Sequence, residues 1–445
     1  MAERLFGTDG VRGVAGAWPL DPPTVARLGA AVVRARAGGR PARIILGRDT
    51  RESGEWIARE FARGAASQGA AVTSAGVMPT PGVAFLARAF DFDLGVVLSA
   101  SHNPYTDNGI KIFSSRGEKF GEDNELRVEG LMADQAWTVG DAPEARVASQ
   151  DFVGPYLDHL VKLLPSAGAL AGARLGVDMA NGATTAAAVR LFSRLGFDVV
   201  AEGDQPDGRN INLACGSTHP AKLAAAVVAK GCRLGVAFDG DGDRAIFVDH
   251  HGHVVDGDAV LLMLASHYQR QGRLAGDTVV ATVMSNIGLE IALRKHGIRL
   301  IRTPVGDKYV MEAMSSGGYV LGGEQSGHVI LSEHLPTGDG MATALAVLRE
   351  MADSGRELHD LAGELGTFPQ TLVNVRVRDK RPVDDVPQIR AAMARVEAAL
   401  DGRGRVLVRY SGTEPLLRIM IEGEDQATVQ AWAEEIADAV RTTIA

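Results

Sequence analysis

The chain has 445 residues, 46% of them hydrophobic and 23% charged, with a formal net charge of −9. That length allows roughly two to four domains with separate cores, and the negative balance argues against nucleic acid or an anionic membrane as the main partner. The longest apolar run, residues 259–265, is far too short to span a bilayer; two cysteines, Cys215 and Cys232, in no metal-ligand pattern suit a reducing compartment.

The N-terminus enters Phe6-Gly-Thr-Asp-Gly-Val-Arg-Gly13 directly, with no apolar signal core, which predicts a cytoplasmic protein. Arg43–Gly47 reads as a strand, followed by a helix near 53–68, a glycine cap at Gly69 and a strand at 70–73. The same series recurs at 174–178, 184–195, Gly196 and 197–200. It recurs again at 278–283, 287–296, Gly297 and 298–301. Each is a βαβ unit, and the repetition predicts three related α/β domains. The tail differs. Strands at 371–378, 405–410 and 416–422 with helices near 386–400 and 426–442 predict a small α+β domain. Boundaries fall near 152, 252 and 367, giving domains over 1–152, 153–252, 253–367 and 368–445.

Four loops carry chemistry. The apolar run Leu94–Leu98 delivers Ser99-Ala-Ser-His-Asn-Pro104, with Asp107–Lys111 close behind, so a hydroxyl, an imidazole, an amide and a lysine share one turn-rich loop. At the carboxyl end of a strand Ser101 would be exposed where open α/β sheets bind ligands. One Ser-His pair alone would read as a capped turn. The run Leu234–Phe238 leads to Asp239-Gly-Asp-Gly-Asp-Arg244, where three carboxylates at alternate positions project to one side. Such hard oxygens suit Mg²⁺, and their mutual repulsion calls for a cation. A calcium EF-hand fails, because its glycine position holds Arg244 and its glutamate position holds His250. Gly322-Gly-Glu-Gln-Ser-Gly-His328 offers hydrogen-bonding groups suited to sugar hydroxyls. Finally, Arg409-Tyr-Ser-Gly-Thr-Glu-Pro-Leu-Leu-Arg418 flanks a turn with two arginines, a plausible phosphate cradle.

With these motifs in order, the chain resembles the α-D-phosphohexomutase superfamily over nearly its whole length. The resemblance implies three mixed-sheet domains and a smaller α+β tail around a central cleft. Ser101 is then the phosphorylated residue, and Asp239, Asp241 and Asp243 hold Mg²⁺ together with the seryl phosphoryl oxygen. Glu324, Ser326 and His328 read the sugar, with His102 and Arg244 also in contact with substrate. Arg409, Ser411, Gly412, Thr413 and Arg418 grip the far phosphate. Gln325 resembles the glucosamine-specific branch, which implies interconversion of glucosamine 6-phosphate and glucosamine 1-phosphate, supplying UDP-N-acetylglucosamine. Glucosamine 1,6-bisphosphate, or glucose 1,6-bisphosphate, would be the intermediate or activator. Arg12 would stabilise the transferring group, and Lys111 or His328 would carry protons, Lys111 only with its pKa lowered by cationic neighbours. Val305-Gly-Asp-Lys308 departs from the family, which leads one to expect arginine as the fourth residue. The alternatives are a mannose or glucose phosphate mutase of the same superfamily, or a metal-dependent sugar phosphatase. A homodimer is open.

Overall fold

The computed structural model describes residues 4–7, 9–36, 40–140, 147–411 and 415–445. These divide into two compact units, one running to residue 284 and resuming over 297–364, the other comprising 285–296 and 365–445.

The first unit contains three mixed sheets. The first is built from β1 (Val11–Val14), β2 (Arg43–Arg48), β3 (Ala71–Val77), β4 (Leu94–Leu98), β5 (Asp107–Ser114) and β6 (Ala148–Ser149), in the order β1-β5-β4-β2-β3-β6. The second has β7 (Arg174–Asp178), β8 (Asp198–Glu202), β9 (Leu234–Phe238), β10 (Ala245–Asp249) and β11 (Val254–Val255), ordered β11-β10-β9-β7-β8. The third has β12 (Thr278–Thr282), β13 (Arg299–Thr303), β14 (Leu321–Gly323) and β15 (Val329–Leu331), ordered β13-β12-β14-β15. β4, β9 and β12 are buried at every residue, which is why they read as unbroken apolar runs rather than alternating ones.

One four-strand theme repeats three times. In β2–β5, β7–β10 and β12–β15 alike, the first strand pairs parallel with the second and the third, and the third pairs antiparallel with the fourth. The expected echo is therefore longer than its βαβ core. Two local details differ from expectation. The helix expected at 184–195 begins as a 3-10 turn, Ala183–Ala186, and becomes α-helical only over Ala188–Arg194. Hydroxyls of Thr184 and Thr185 bond back to the carbonyls of Met179 (3.4 Å) and Gly182 (2.7 Å), which tightens that first turn. Asp107–Lys111, expected in a loop, is the start of β5, paired on both edges by β1 and β4.

In the second unit β16 (Gln370–Arg376), β17 (Arg405–Tyr410) and β18 (Leu416–Glu422) form an antiparallel sheet ordered β16-β18-β17. Helices Pro387–Leu400 and Gln426–Thr443 close a core of Ile389, Val396, Ile419, Ile421, Val429 and Ile436 against it. Asn286 ties residues 285–296 to this unit. Its side chain accepts the N–H of Phe368 (3.1 Å) and donates to the Phe368 carbonyl (3.0 Å). Among the described residues no helix is long and apolar enough to cross a membrane.

Candidate active site

The three motif loops of the first unit occupy one topological position. Residues 99–106 join β4 to β5, 239–244 join β9 to β10, and 324–328 join β14 to β15. Each is the link between the third and fourth strand of the repeated theme, at the carboxyl end of the third.

Ser101 is buried and has φ +51°, a left-handed conformation that a non-glycine residue holds only under constraint. The constraint is visible. Its N–H donates to Ser99 Oγ (2.9 Å), and its carbonyl accepts from Arg51 Nη2 (3.0 Å) and Asn212 Nδ2 (2.9 Å). The side chain is thereby aimed at the aspartate loop, where its hydroxyl donates to Asp239 Oδ2. Glycine is required on the facing side: a Cβ at Gly240 would lie 2.6 Å from the Ser101 carbonyl oxygen, and Gly242 has φ +74°.

Asp239, Asp241 and Asp243 are all buried, and one oxygen of each lies within 4.8 Å of the others. Burial, then repulsion from Asp243 and Asp241, pushes the Asp239 carboxyl well above its ordinary value. Burial also opposes ionisation of Asp243, but Lys111, His328 and Arg244 outweigh it and hold that carboxyl well below. Asp241 Oδ2 accepts from the Thr80 hydroxyl (2.6 Å) and from Lys111 Nζ (2.7 Å). Oδ1 of Asp241 and Oδ1 of Asp243 are buried without a hydrogen-bond partner. Acceptor oxygens buried and left over in a cluster of like charges fit a divalent cation.

Lys111 lies on β5, buried among Asp241 (2.7 Å), Asp9 (2.9 Å) and Asp243 (3.4 Å). Burial favours the neutral amine, yet these carboxylates raise its pKa well above the usual lysine value. Its neighbours are thus mainly anionic, the reverse of the cationic setting a basic role was expected to need. Asp9 also bonds Arg12 and Lys119, and Lys119 reaches on to Asp307. His328 Nε2 accepts the Gly338 N–H (3.2 Å), which puts the proton on Nδ1, 3.6 Å from Asp243 Oδ1. Burial opposes a second proton on that ring; Asp243 and Asp307 nevertheless raise its pKa. Burial, with Arg244 and Arg12 nearby, lowers the His102 pKa to about 4.

These groups open on a cavity of about 480 Å³ lined by, among others, Asp9, Arg12, His102, Arg244, Glu324 and His328. All three α/β segments contribute to it. An isolated bridge pairs Arg244 with His328, so the second and third loops are stitched together. Glu324 accepts the Gly306 N–H (3.2 Å) and the Ser326 hydroxyl (3.3 Å). Ser326 itself is exposed and does not line the cavity, and neither does Gln325. Gln325 Nε2 instead donates to Asp256 Oδ2 (3.0 Å), the residue whose other oxygen caps helix Gly257–Arg270. Lys308 lies 3.4 Å from Glu125 Oε2.

In the second unit, Arg409 and Arg418 are directly opposite in the β17–β18 register. Burial, and then Arg418, lower the Arg409 pKa, the mark of two cations held side by side. Arg418 donates to Ser411 Oγ (3.4 Å), and Lys380 Nζ to the Ser411 carbonyl (2.8 Å). Gly412 and Thr413 lie outside the described residues.

Sequence reasoning missed Arg51, Thr80, Asp9, Lys119 and Asp307 as parts of this network. Asp9 and Asp307 stood inside motifs already singled out. Arg51, Thr80 and Lys119 carried no local signal of a site, because apart from Asp49 beside Arg51 their partners are far away in the chain.

Models of the phosphoglucomutase/phosphomannomutase family match most of the chain. Alpha/beta/alpha domain I matches residues 3–138, domain II 154–252, domain III 256–368 and the C-terminal domain 372–439. A phosphoglucosamine mutase of Solibacter usitatus (strain Ellin6076) is 50% identical over 444 residues, covering 99% of each chain. Among solved structures, a phosphoglucomutase/phosphomannomutase family protein from Burkholderia thailandensis superposes with a TM-score of 0.80 at 24% identity, covering 99% of this chain and 98% of that one. An Aspergillus fumigatus N-acetylphosphoglucosamine mutase, solved in complex with GlcNAc-6P and magnesium, gives 0.68 at 17% identity over 98% and 95%.

Proposed function

The chain belongs to the phosphoglucomutase/phosphomannomutase family, and from that premise we propose that it interconverts glucosamine 6-phosphate and glucosamine 1-phosphate through a phosphorylated Ser101 and a 1,6-bisphosphate. It is an enzyme of the isomerase class working by phosphoryl transfer. The observation that carries the mechanism is the contact between the Ser101 hydroxyl and Asp239 at the rim of a three-carboxylate cage. Identity to phosphoglucosamine mutases across the whole chain supports glucosamine as the sugar. Segment matches support domain breaks near 152, 252 and 367.

Ser101, Asp239, Asp241 and Asp243 would hold Mg²⁺, which when bound would neutralise charge on the transferring phosphoryl group. The rest is positioning and fixed charge, the main ingredients of phosphoryl transfer. The strained Ser101 backbone keeps its oxygen facing the cage, and Arg12, His102 and Arg244 present donors to an anionic substrate in the cavity. Glu324 and His328, which line the cavity, and Ser326 through its bond to Glu324, read the sugar hydroxyls, while Arg409, Ser411, Gly412, Thr413 and Arg418 hold the far phosphate. Lys111 or His328 carries the proton. For Lys111 that role requires its carboxylate partners to be engaged by a cation, since their full charge holds its proton.

Rates with glucosamine 6-, glucose 6- and mannose 6-phosphate, measured side by side, test the substrate. Intact mass tests the serine: a species heavier by one phosphate should be present and should vanish in Ser101→Ala together with nearly all turnover. Efficient interconversion by that variant would end the phosphoserine reading. A clear preference for mannose 6-phosphate would move the enzyme to another branch.

A further inference from the structure

The turn between β10 and β11 reads Asp249-His-His-Gly-His253, and the short helix Leu358–Ala362 brings His359 against it. Phosphoryl transfer makes no use of this cluster. The Asp249 side chain is 2% exposed, whereas those of His253 and His359 are 68% and 46% exposed. Asp249 Oδ1 accepts the N–H groups of His251 and His253, both at 2.9 Å. That fixes the carboxylate and turns Oδ2 toward two imidazoles, Nδ1 of His253 at 3.1 Å and Nδ1 of His359 at 2.8 Å. The His251 ring centroid is 4.8 Å from that of His359, and His250 is 3.9 Å from His251. Four of the chain's 11 histidines thus gather around one buried carboxylate.

This donor set differs in kind from the aspartate loop. Two imidazoles and one carboxylate are borderline ligands that select zinc-class ions over Mg²⁺. Around a tetrahedral zinc with ligands near 2.0–2.1 Å, neighbouring donor atoms stand about 3.3 Å apart. The two contacts at Asp249 Oδ2 are a few tenths of an ångström shorter, so an ion could take the place of the bridging protons after small outward shifts. We propose that Asp249, His253 and His359 form a binding site for a divalent zinc-class ion, with His251 or water completing the coordination. Each histidine would move its ring proton to Nε2 and bind through Nδ1, so charge and protons balance without an external base. Two backbone N–H groups hold the carboxylate in place beforehand, as outer partners do in metal sites generally. Solvent exposure of both rings supplies the entry path. The ion would join the β10–β11 turn to the helix at 358–362.

The test uses the full-length enzyme with excess Mg²⁺ to saturate the aspartate loop. Zn²⁺ is titrated in competition with a chromophoric chelator. One equivalent should bind with micromolar or tighter affinity, and His253→Ala and His359→Ala should each weaken it by about 10-fold or more. Both rings are exposed, so circular dichroism of the variants should match the parent. Co²⁺ in place of Zn²⁺ should give the visible absorption of a four-coordinate site in the parent and lose it in the variants. Absence of micromolar Zn²⁺ uptake, or unchanged affinity in both variants, would overturn the proposal.

Discussion

Arg51→Lys keeps a charge in place and removes a geometry. The Arg51 side chain is fully buried and its guanidinium makes five bonds. Nε donates to Asp49 Oδ2 (2.9 Å), Nη1 to the carbonyls of Pro104 and Asp107 (3.0 Å for the latter), and Nη2 to those of Ser101 (3.0 Å) and Asn103 (2.8 Å). Lysine has three donors, so at least two of these five bonds are lost, although the Ser101 and Asn103 carbonyls keep Asn212, the Pro104 carbonyl keeps the Asp107 N–H and Asp49 Oδ2 keeps the Ser99 hydroxyl. Each lost bond is worth about 1 kcal/mol, giving about 2 kcal/mol for the pair, while Asp49 retains a counter-charge. The loss falls on the loop that holds Ser101 in its left-handed conformation. Opening of that loop should therefore become about 30-fold more frequent. Amide hydrogen exchange reads this directly at Ser99, Ser101 and Asn103, whose N–H groups are bonded within or beside the loop. Turnover should fall by about 10-fold or more, because a reacting oxygen displaced by even about 1 Å from its partners loses rate steeply. Exchange within about threefold of the parent at these amides, with full turnover, would show that Asn212 and the flanking strands suffice, and the argument would fail.

Chelation should abolish activity and Mg²⁺ restore it, and Asp241→Asn should raise the Mg²⁺ concentration for half-maximal rate by about 10-fold or more; chelator-resistant turnover would make the aspartate loop structural. His159 is stacked on Phe85 (4.3 Å) and on His334 (4.1 Å), and burial, then His334, holds its pKa at about 4 instead of 6.5. Between those pH values the unfolded chain binds a proton that the folded one refuses, so stability falls as pH drops through the window. His159→Phe should flatten that part of a Tm–pH curve, and an unchanged slope would refute the linkage. Arg418→Ala should weaken both glucosamine monophosphates alike, by about 2 kcal/mol, and leave Ser101 phosphorylation intact. Calorimetry showing a loss for only one of the two would mean that the arginine pair does not serve both substrate orientations.

The βαβ cores were legible because periodicity, glycine caps and wholly apolar runs are local properties. The fourth strand was legible in the second sheet, where Ala245–Val248 follows the aspartate loop, but not in the first and third. β5 opens on Asp107-Asn-Gly109, residues that signal a turn, and β15 is only three residues long. Ser101 and the three aspartates were legible because their residue types and spacing leave few other uses. Their supports were hidden for a different reason. Thr80 meets Asp241 across 161 residues and Lys119 meets Asp307 across 188, and no window of sequence spans such a pair. Gln325, which marks the glucosamine-specific branch in the motif, bonds a helix cap rather than facing the cavity, and nothing in the sequence pointed to that partner.

The separation of Lys111 from Asp241 also sets a timetable. At about 5–20 residues per second, the 130 residues between them take about 7–26 s to synthesise. Through that interval the lysine has only Asp9 of its three carboxylate partners, and water must serve in place of the others. The first α/β segment thus emerges with this edge of its core still wet, and closes it only when the second segment arrives. Ser101 lacks Asp239 for just as long, so an incomplete chain carries the serine without the carboxylates around it, and the reactive centre is assembled late in the life of the nascent chain.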